Sequence, residues 1–478
     1  MTKKFIFFMF CLQIGTPSFA QKRPAAHAKL QKLHIPKNSR HILQEDGQPF
    51  FWLGDTAWEL FHRLDFSEAE IYLKNRSEKG YNVIQSVVLA EFDGLTQPDQ
   101  QKQLPLIDND PTKPNDLYFK HVEKVIDKAN SLHMYVGLLP TWGDKFNKKW
   151  GAGPEIFTPE NARIYGEYLA LKFKNKKIIW ILGGDRSPES DKHTAIIQAM
   201  AEGIKKVIGD EQLITYHPMG ASYSSKYFHK ENWLSLNMFQ SGHGAKDIKN
   251  YLMIRNDYNL SPVKPTLDGE PRYEDHPINW KPELGYFNDF DTRQAAYWAV
   301  LSGACGHTYG CHDMWQFFNY ERNPPVAAAR TIWKTALDLP GAYQMGYMKD
   351  FFSALPWQNL VPDQSVIKND NPEDAGFQIA AVSESKDLLI AYTPYGRPFK
   401  IDMTKLSGNS FYAYWFNPRD ETKIRIGDIK ADETLDFKPY AAGPGTDWVL
   451  VILDSTKITG HKNDMTFLFK PQMFNRFA

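Results

Sequence analysis

Two carboxylates in this sequence follow short apolar runs that end in glycine. The first run, Ile178–Leu182, has five apolar residues and leads through a glycine pair to Asp185. The second stretch, Lys264–Pro271, holds Glu270 directly after a glycine. An unbroken apolar run is typical of a parallel strand buried on both faces, and the carboxyl ends of such strands meet at the edge where ligands bind. Two carboxylates that converge there could hydrolyse a glycosidic bond, one as the acid and the other as nucleophile or base.

The order of elements along the chain decides whether the two carboxylates meet, because a single Gly-Asp or Gly-Glu pair is more often an ordinary turn or helix cap. Apolar runs alternate with helical patterns eight times. This alternation predicts an α/β fold, a (β/α)8 TIM barrel with every strand end on one face. The predicted strands are Phe51–Gly54, Tyr81–Leu89, Met134–Pro140, the run before Asp185, Gln212–His217, Trp233–Phe239, the run before Glu270, and Gly306–Gly310.

The sequence divides into four predicted segments. Residues 1–20 contain two lysines, an apolar stretch and small residues near Ala20, a pattern typical of a secretory signal peptide. Residues 21–352 are interpreted as the barrel domain that carries the catalysis. Residues 353–456 contain short alternating runs separated by turn residues, which predicts a small antiparallel β-sandwich. Residues 457–478 are interpreted as a C-terminal tail.

The overall charge gives no sign of a nucleic acid or a membrane surface as a partner. The 478 residues contain 56 Lys and Arg against 56 Asp and Glu, so bulk electrostatics favours neither. Beyond the signal peptide, no segment approaches the roughly 18 consecutive apolar residues of a membrane span. Cys11 lies in the apolar stretch without the small residues of a lipoprotein cleavage site, so we expect an exported protein, periplasmic or extracellular, without an anchor. The sequence leaves the oligomeric state open.

Two cysteines remain after the signal peptide, Cys305 and Cys311, each followed closely by a histidine. In an oxidising compartment the pair could form a disulfide, and with His307 and His312 it also resembles a metal-ligand cluster. The paired spacing of zinc motifs is absent, so a turn is the favoured interpretation and we expect no metal. No glycine-rich nucleotide motif is present, and no cofactor is expected.

Polar and aromatic residues near the predicted strand ends are candidates for binding sugar. Carboxylates and imidazoles can hydrogen-bond sugar hydroxyls, and indole rings can stack on the apolar face of a sugar ring. A helix cap is an equal alternative for the first of these residues, and core packing is an alternative for the tryptophans. The candidates are Asp55, Trp58, Glu91, Trp142, His217, His243, His307 and Trp315.

Four motifs resemble a known family, the apiosidase-like glycoside hydrolases of glycoside hydrolase family 140. They are FWLGDTAWEL from Phe51, IIWILGGD from Ile178, LDGEPRYED from Leu267 and GHTYGCHDMW from Gly306. The resemblance covers most of the chain, from about residue 41 to residue 454. It implies a (β/α)8 domain followed by a small β-sandwich that is often labelled a collagen-binding domain.

The resemblance also implies an activity, hydrolysis of an apiosyl linkage in the side chains of the pectin rhamnogalacturonan II by an exported bacterial enzyme. The family's catalytic carboxylates fall on Asp185 and Glu270. The chain is also similar to a larger clan of retaining barrel enzymes, which carry Asn-Glu where this chain has Gly184-Asp185, so the acid here is one methylene shorter. Our hypothesis is that Glu270 is the nucleophile and Asp185 the acid, with a pKa raised by burial and by the neighbouring charge.

Two other functions remain open at this point. One is a barrel hydrolase for another glycan, such as a furanoside or a β-glucoside. The other is a secreted carbohydrate-binding protein with an inactive barrel, in which the sandwich does the binding. Retention of both Asp185 and Glu270 argues against a pure binding protein, and we favour a sandwich that buttresses the barrel.

Overall fold

The computed structural model of the protein describes residues 30–430 and 433–457. The predicted signal peptide and all of the predicted tail except residue 457 lie outside these ranges. In the described part of the chain, no helix is both long enough and apolar enough to cross a membrane.

Eight parallel strands form a barrel, which confirms the predicted fold class. Six of them hydrogen-bond in the order β8-β1-β2-β3-β4-β5, and β6 pairs with β7. Backbone bonds from Ser235 N to Ile214 O (2.8 Å) and from Cys305 N to Thr266 O (3.0 Å) connect the two sheets. The strands are β1 (Trp52–Thr56), β2 (Val83–Leu89), β3 (Tyr135–Thr141), β4 (Ile178–Gly183), β5 (Ile214–His217), β6 (Asn237–Gln240), β7 (Thr266–Asp268) and β8 (Gly306–Tyr309).

A helix follows each strand and covers the outside of the barrel. Side chains define several helix starts: Asp65, Thr158 and Asn288 each form a reciprocal capping box with the residue three positions on. The helices are α1 (Phe66–Glu78), α2 (Asp116–Ser131), α3 (Pro159–Phe173), α4 (Asp191–Ile208), α5 (Ser225–Phe228), α6 (Asn250–Tyr258), α7 (Asp289–Leu301) and α8 (Pro340–Ser353).

A small three-stranded sheet closes the amino-terminal end of the barrel. Its strands are Leu33–His34, Ile42–Gln44 and Pro49–Phe50, paired antiparallel. Leu33, Ile42 and Phe50 pack in one cluster with the inward-facing side chains of the barrel strands. This end is therefore filled, and the opposite end, where β4 and β7 terminate, is left for a ligand.

The second domain is an antiparallel sandwich, again as predicted. Its larger sheet has the order β9-β10-β11-β16-β13-β14, and β12 pairs with β15 on the other side. One face of the larger sheet packs on the barrel helices and the other on the smaller sheet, so its central strands β10, β11, β16 and β13 are buried on both faces. The strands are β9 (Leu360–Pro362), β10 (Ile379–Ser383), β11 (Leu388–Thr393), β12 (Phe399–Asp402), β13 (Ser410–Phe416), β14 (Lys423–Lys430), β15 (Thr434–Phe437) and β16 (Trp448–Asp454).

A buried ion pair joins the two domains. Arg293 in α7 donates from Nη2 and Nε to the carboxylate of Asp447, at 2.8 and 2.9 Å, and both residues are almost completely buried. Beside the pair, the rings of Tyr297 and Tyr392 stack with centroids 4.9 Å apart. The sandwich is therefore fixed to the barrel on the side of α7, which fits a buttressing role.

We expect Asp447→Ala to destabilise the protein by about 3 kcal/mol, because it removes the buried carboxylate that accepts hydrogen bonds from Arg293 Nε and Nη2 and leaves only Asp289 to balance that charge. Urea unfolding followed by fluorescence measures this change. Asp436→Ala, at an exposed position of the same domain, is the matched control and should stay within about 0.5 kcal/mol of wild type. A loss below about 1 kcal/mol for Asp447→Ala would contradict a buttressing ion pair.

The two cysteines are unbridged. Cys305 and Cys311 are both free thiols and both buried, and burial raises the pKa of the Cys305 thiol to about 12. Among the described residues, no group of three or more histidine, cysteine or acidic side chains is arranged to hold a metal ion. The Cys and His residues of this segment therefore contribute to the core of the barrel around β8.

Candidate active site

A cavity of about 840 Å³ opens at the carboxyl ends of the barrel strands. Its size is in the range of pockets that bind small organic ligands. Seven of the ten residues predicted for the site line it. They are Trp58, Glu91, Trp142, Asp185, His243, Glu270 and Trp315.

The glycine pair at the end of β4 directs Asp185 into the cavity. Gly183, Gly184 and Asp185 have positive φ angles of 95°, 100° and 53°, a conformation that glycine adopts without strain and aspartate tolerates. A Cβ on Gly183 would lie 2.3 Å from the carbonyl oxygen of His217. Only glycine fits there, so the sequence GGD is explained by a turn that brings the carboxylate out of the sheet.

Glu270 lies two residues beyond β7, with its backbone held by the loop that follows β6. Gly242 N donates to the Glu270 carbonyl oxygen at 3.0 Å. Its carboxylate is buried and contacts two histidines: Oε1 lies 3.1 Å from His243 Nε2, and Oε2 lies 3.0 Å from His217 Nε2. Imidazole nitrogens from two different strand ends therefore contact both oxygens of this carboxylate and fix its orientation.

His217 connects the two carboxylate residues. Its Nδ1 accepts a hydrogen bond from the backbone N–H of Asp185 at 3.0 Å. Because Nδ1 is an acceptor, the ring proton lies on Nε2, which faces Glu270. The same ring therefore positions the backbone of Asp185 and places its Nε2 3.0 Å from the carboxylate of Glu270. His217 itself is buried behind the cavity wall, so the structure assigns it a positioning role where the sequence predicted contact with sugar.

The two carboxylates have pKa values displaced in opposite directions. Burial alone would raise the pKa of Glu270, but hydrogen bonds from His217 and His243 outweigh it and lower the pKa to about 2. Burial and the charge of Glu270 raise the pKa of Asp185 to about 6, against smaller lowering effects of Arg186 and His217. Carboxylates separated in this way can serve as an ionised nucleophile or base and a protonated acid in one site.

We expect His243→Ala to lower kcat/KM preferentially at acidic pH. Loss of a hydrogen bond to a charged group, worth about 1.5–3 kcal/mol, raises the pKa of Glu270 by about one unit or more. Activity then declines at a higher pH than in wild type, because Glu270 must be ionised. Measured pH profiles of kcat/KM test this, with His34→Ala at the opposite end of the barrel as the control. An unchanged acid limb in His243→Ala would contradict the role of His243.

A third carboxyl group, Glu91, faces the same cavity from the loop after β2. Burial and the negative charges of Glu59, Asp144 and Asp185 raise its pKa well above the usual value. A neutral Glu91 can donate as well as accept a hydrogen bond, which suits recognition of a sugar hydroxyl.

The floor of the cavity is aromatic. Trp58 and Trp142 pack with ring centroids 5.3 Å apart, and Trp58 also contacts the His217 ring edge-on at 5.4 Å. Trp315 stacks on Phe92 at 5.8 Å and donates through Nε1 to His312. These indoles are at least 95% buried, so they shape the cavity and support His217 as well as offering surface to a ligand.

Asp55 lies away from the cavity, contrary to the prediction. It belongs to β1, which continues two residues beyond its predicted end, and its side chain points outward to α1. There its carboxylate accepts hydrogen bonds from Tyr72 and from Arg76 Nε, both at 2.6 Å. Asp55 therefore ties the first strand to the first helix, and it is neither a sugar ligand nor a helix cap.

His307 is also outside the cavity. It lies in β8 in register with Leu53, a residue of the layer between the barrel and its helices. Burial and the charge of Arg272 lower the pKa of His307 to about 3, so the ring is neutral at physiological pH. The prediction that His307 binds sugar was wrong because it placed this side chain at the loop edge after β8. In the structure His307 lies within the strand and faces the outer core.

Several cavity residues were not predicted from the sequence. Tyr273, Trp280, Arg186 and Trp150 all line it. Arg186 follows the acid directly and donates from Nη1 to Asp185 Oδ2 at 3.0 Å. A signal was available for the two tryptophans, since each stands in a polar loop near a strand end, where a large apolar residue has few structural uses.

Comparison with protein families decides the assignment. The family described as apiosidase-like, catalytic domain, matches residues 36–359. The chain belongs to the apiosidase-like family. A second family, described as a collagen-binding domain of a collagenase, matches residues 361–453, the region of the sandwich. A search of curated proteins found no match.

The solved structures similar to this apiosidase-like protein include glycoside hydrolases. One described as a glycoside hydrolase is 31% identical with a TM-score of 0.82, and the match covers 89% of this chain and 97% of that one. A family 5 glycoside hydrolase from Bacteroides vulgatus is also 31% identical, with a TM-score of 0.82 and coverage of 89% and 94%. An α-amylase from Lactobacillus plantarum, 11% identical with a TM-score of 0.51 and coverage of 84% and 98%, shares the fold alone. The protein is therefore a glycoside hydrolase.

Proposed function

We propose that this glycoside hydrolase cleaves an apiosyl linkage in the side chains of rhamnogalacturonan II, a plant cell-wall pectin. The observation that carries the chemistry is a pair of carboxylates, Asp185 and Glu270, that line one cavity, with Glu270 held between two histidines and the two pKa values displaced in opposite directions. The match of residues 36–359 to the apiosidase-like catalytic domain supports the choice of sugar.

In the proposed mechanism, one carboxylate oxygen of Glu270 attacks the anomeric carbon while Asp185 transfers its proton to the glycosidic oxygen. The carbon–oxygen bond to the leaving group breaks, and a glycosyl ester on Glu270 forms. Asp185, now ionised, removes a proton from water, which attacks the anomeric carbon and releases the sugar with its original configuration. The histidine contacts hold Glu270 ionised for the first step, and burial holds the proton on Asp185.

A panel of defined substrates tests the proposal. The purified enzyme is incubated with rhamnogalacturonan II fragments that contain an apiosyl linkage, with an arabinofuranosyl oligosaccharide and with a β-glucoside, and new reducing ends are measured. We expect release from the apiosyl fragments at a rate at least about a hundredfold above that from the other two, a ratio that contacts to specific hydroxyls can supply. Release only from another glycan would overturn the apiosyl assignment and leave the glycosidase activity intact.

We further propose that the enzyme is exported to the periplasm or the cell exterior, where such polysaccharide fragments occur. The support is the sequence of residues 1–20, with its lysines, apolar stretch and small residues. Amino-terminal sequencing of the protein purified from its own cells tests this, and the expected first residue is Gln21. A mature protein that still begins at Met1 would contradict export.

A further inference from the structure

Trp150 is an exposed aromatic residue at the mouth of the cavity. Its side chain is 60% exposed and lines the cavity beside the catalytic pair. The guanidinium of Arg186 lies over the indole, 4.0 Å from the ring centroid. A second cation, Lys149, has its Nζ 5.2 Å from the same centroid, and more than half of the Trp150 surface stays exposed at the mouth of the cavity.

The loop that carries Trp150 is held in place by buried polar groups. Arg186, which is 1% exposed, donates from Nε to the carbonyl oxygen of Asn147 at 3.1 Å. Asp144 pairs with Lys145 at 2.8 Å and accepts the backbone N–H of Gly153 at 2.8 Å. These contacts bracket Trp150 on both sides, so the backbone of its loop is positioned before a ligand arrives and less conformational entropy is lost on binding.

The position of Trp150 relative to the carboxylates indicates which part of a substrate it meets. The Arg186 guanidinium that lies over its indole also donates from Nη1 to Asp185 Oδ2 at 3.0 Å, so Trp150 lies on the Asp185 side of the cavity. The acid must contact the glycosidic oxygen, so the group beyond that oxygen lies on the Asp185 side. The Glu270 side is occupied instead by His243, His276 and Trp280, with the His276 and Trp280 rings 4.5 Å apart.

We propose that Trp150 is the platform of a subsite for the leaving saccharide, so that the enzyme is selective for bonds between two sugar rings. The open indole stacks on the apolar face of the departing ring, while Asp185 reaches the oxygen that joins it to the glycone. The cavity volume of about 840 Å³ leaves room for both rings. This inference rests on the proposed glycosidase mechanism, with Asp185 as the acid.

The test compares two substrates that share the glycone. An apiosyl fluoride has no leaving ring, whereas the apiosyl fragment of rhamnogalacturonan II has one. We expect Trp150→Ala to lower the ratio of kcat/KM for the fragment to kcat/KM for the fluoride by about tenfold, and Trp150→Phe to restore most of it. Tyr440→Ala, at an exposed aromatic residue of the sandwich, is the control, with an unchanged ratio. A ratio within about twofold of wild type in Trp150→Ala would overturn the proposal.

A second readout separates stacking from an effect on the acid, since fluoride departure needs little proton transfer. The saccharide freed from the leaving side is added as an inhibitor of fluoride hydrolysis. We expect its inhibition constant to rise about tenfold in Trp150→Ala. The alkaline limb of the pH profile of kcat/KM on the saccharide substrate should stay at the same pH as in wild type. An unchanged inhibition constant together with a shifted alkaline limb would overturn the subsite, because the substitution would then act on the acid and not on the leaving saccharide. If wild type cleaves neither substrate, the apiosyl function fails first, and the subsite proposal falls with it.

Discussion

Replacement of Glu270 by glutamine is expected to lower kcat by at least about 10³-fold, because an amide cannot form the glycosyl ester. The substitution keeps the size of the side chain and leaves oxygen and nitrogen atoms within reach of His217 and His243. The fold and the affinity for the substrate should therefore be retained. Steady-state kinetics on the apiosyl fragments measures the loss, and calorimetric titration of the variant with the same fragment measures binding.

The matched control for this variant is Glu283→Gln. Glu283 is exposed in the loop segment that follows Glu270 and does not line the cavity. We expect its kcat to stay within about twofold of wild type, as for most surface substitutions. Wild-type turnover in Glu270→Gln would mean that another carboxylate is the nucleophile, while lost binding in this variant would mean that its defect is not confined to chemistry.

Asp185→Asn is expected to lower kcat/KM for a saccharide leaving group by about 10²- to 10⁴-fold, the range typical of a general acid. Hydrolysis of the apiosyl fluoride should fall far less, because its leaving group departs without a proton. The ratio of the two losses identifies a proton donor in a way that total activity does not. Equal losses on both substrates would contradict the assignment of Asp185 as the acid. Asp191→Asn, exposed at the start of α4, is the control.

The pH dependence follows from the same two groups. Asp185, with a pKa raised to about 6, must be protonated, so kcat/KM on the saccharide substrate falls as the pH rises above about 6. Glu270 must be ionised, and its pKa is lowered to about 2, so the enzyme should stay active down to strongly acidic pH. The alkaline limb should vanish in Asp185→Asn. An alkaline limb that persists at the same pH in Asp185→Asn would show that a group other than Asp185 causes it.

The fold was predictable because its signals are local. Each strand is an apolar run and each helix a periodic pattern, and their alternation leaves one parsimonious architecture. The end of β1 was placed too early for a physical reason. Gly54 was interpreted as the end of the strand, but a Cβ there would lie 2.6 Å from Trp52 Nε1, so this glycine serves packing inside the barrel. Asp55 therefore stays in the strand and binds Arg76.

The two carboxylates were predictable, whereas the groups that control them were only partly so. Asp185 and Glu270 are marked by strand ends and by the glycines that release them from the sheet. The role of His217 depends on partners from two other strand ends, and no pattern within Gln212–His217 contains that information. The indole of Trp150 lies under the guanidinium of Arg186, which is 36 positions further along the chain, so its place beside the acid emerges only from the folded loop.

The most direct test of the central claim is to identify the carboxylate that becomes glycosylated. An apiosyl fluoride with fluorine in place of the 2-hydroxyl slows the hydrolysis of the ester, and peptide mass spectrometry then locates the attached sugar. We expect the sugar on Glu270, in the peptide that contains residues 266–272, and no label in Glu270→Gln. A sugar attached to Asp185 or Glu91 would contradict the proposed division of roles between the two carboxylates, and an active enzyme that never carries a label would contradict the retaining mechanism.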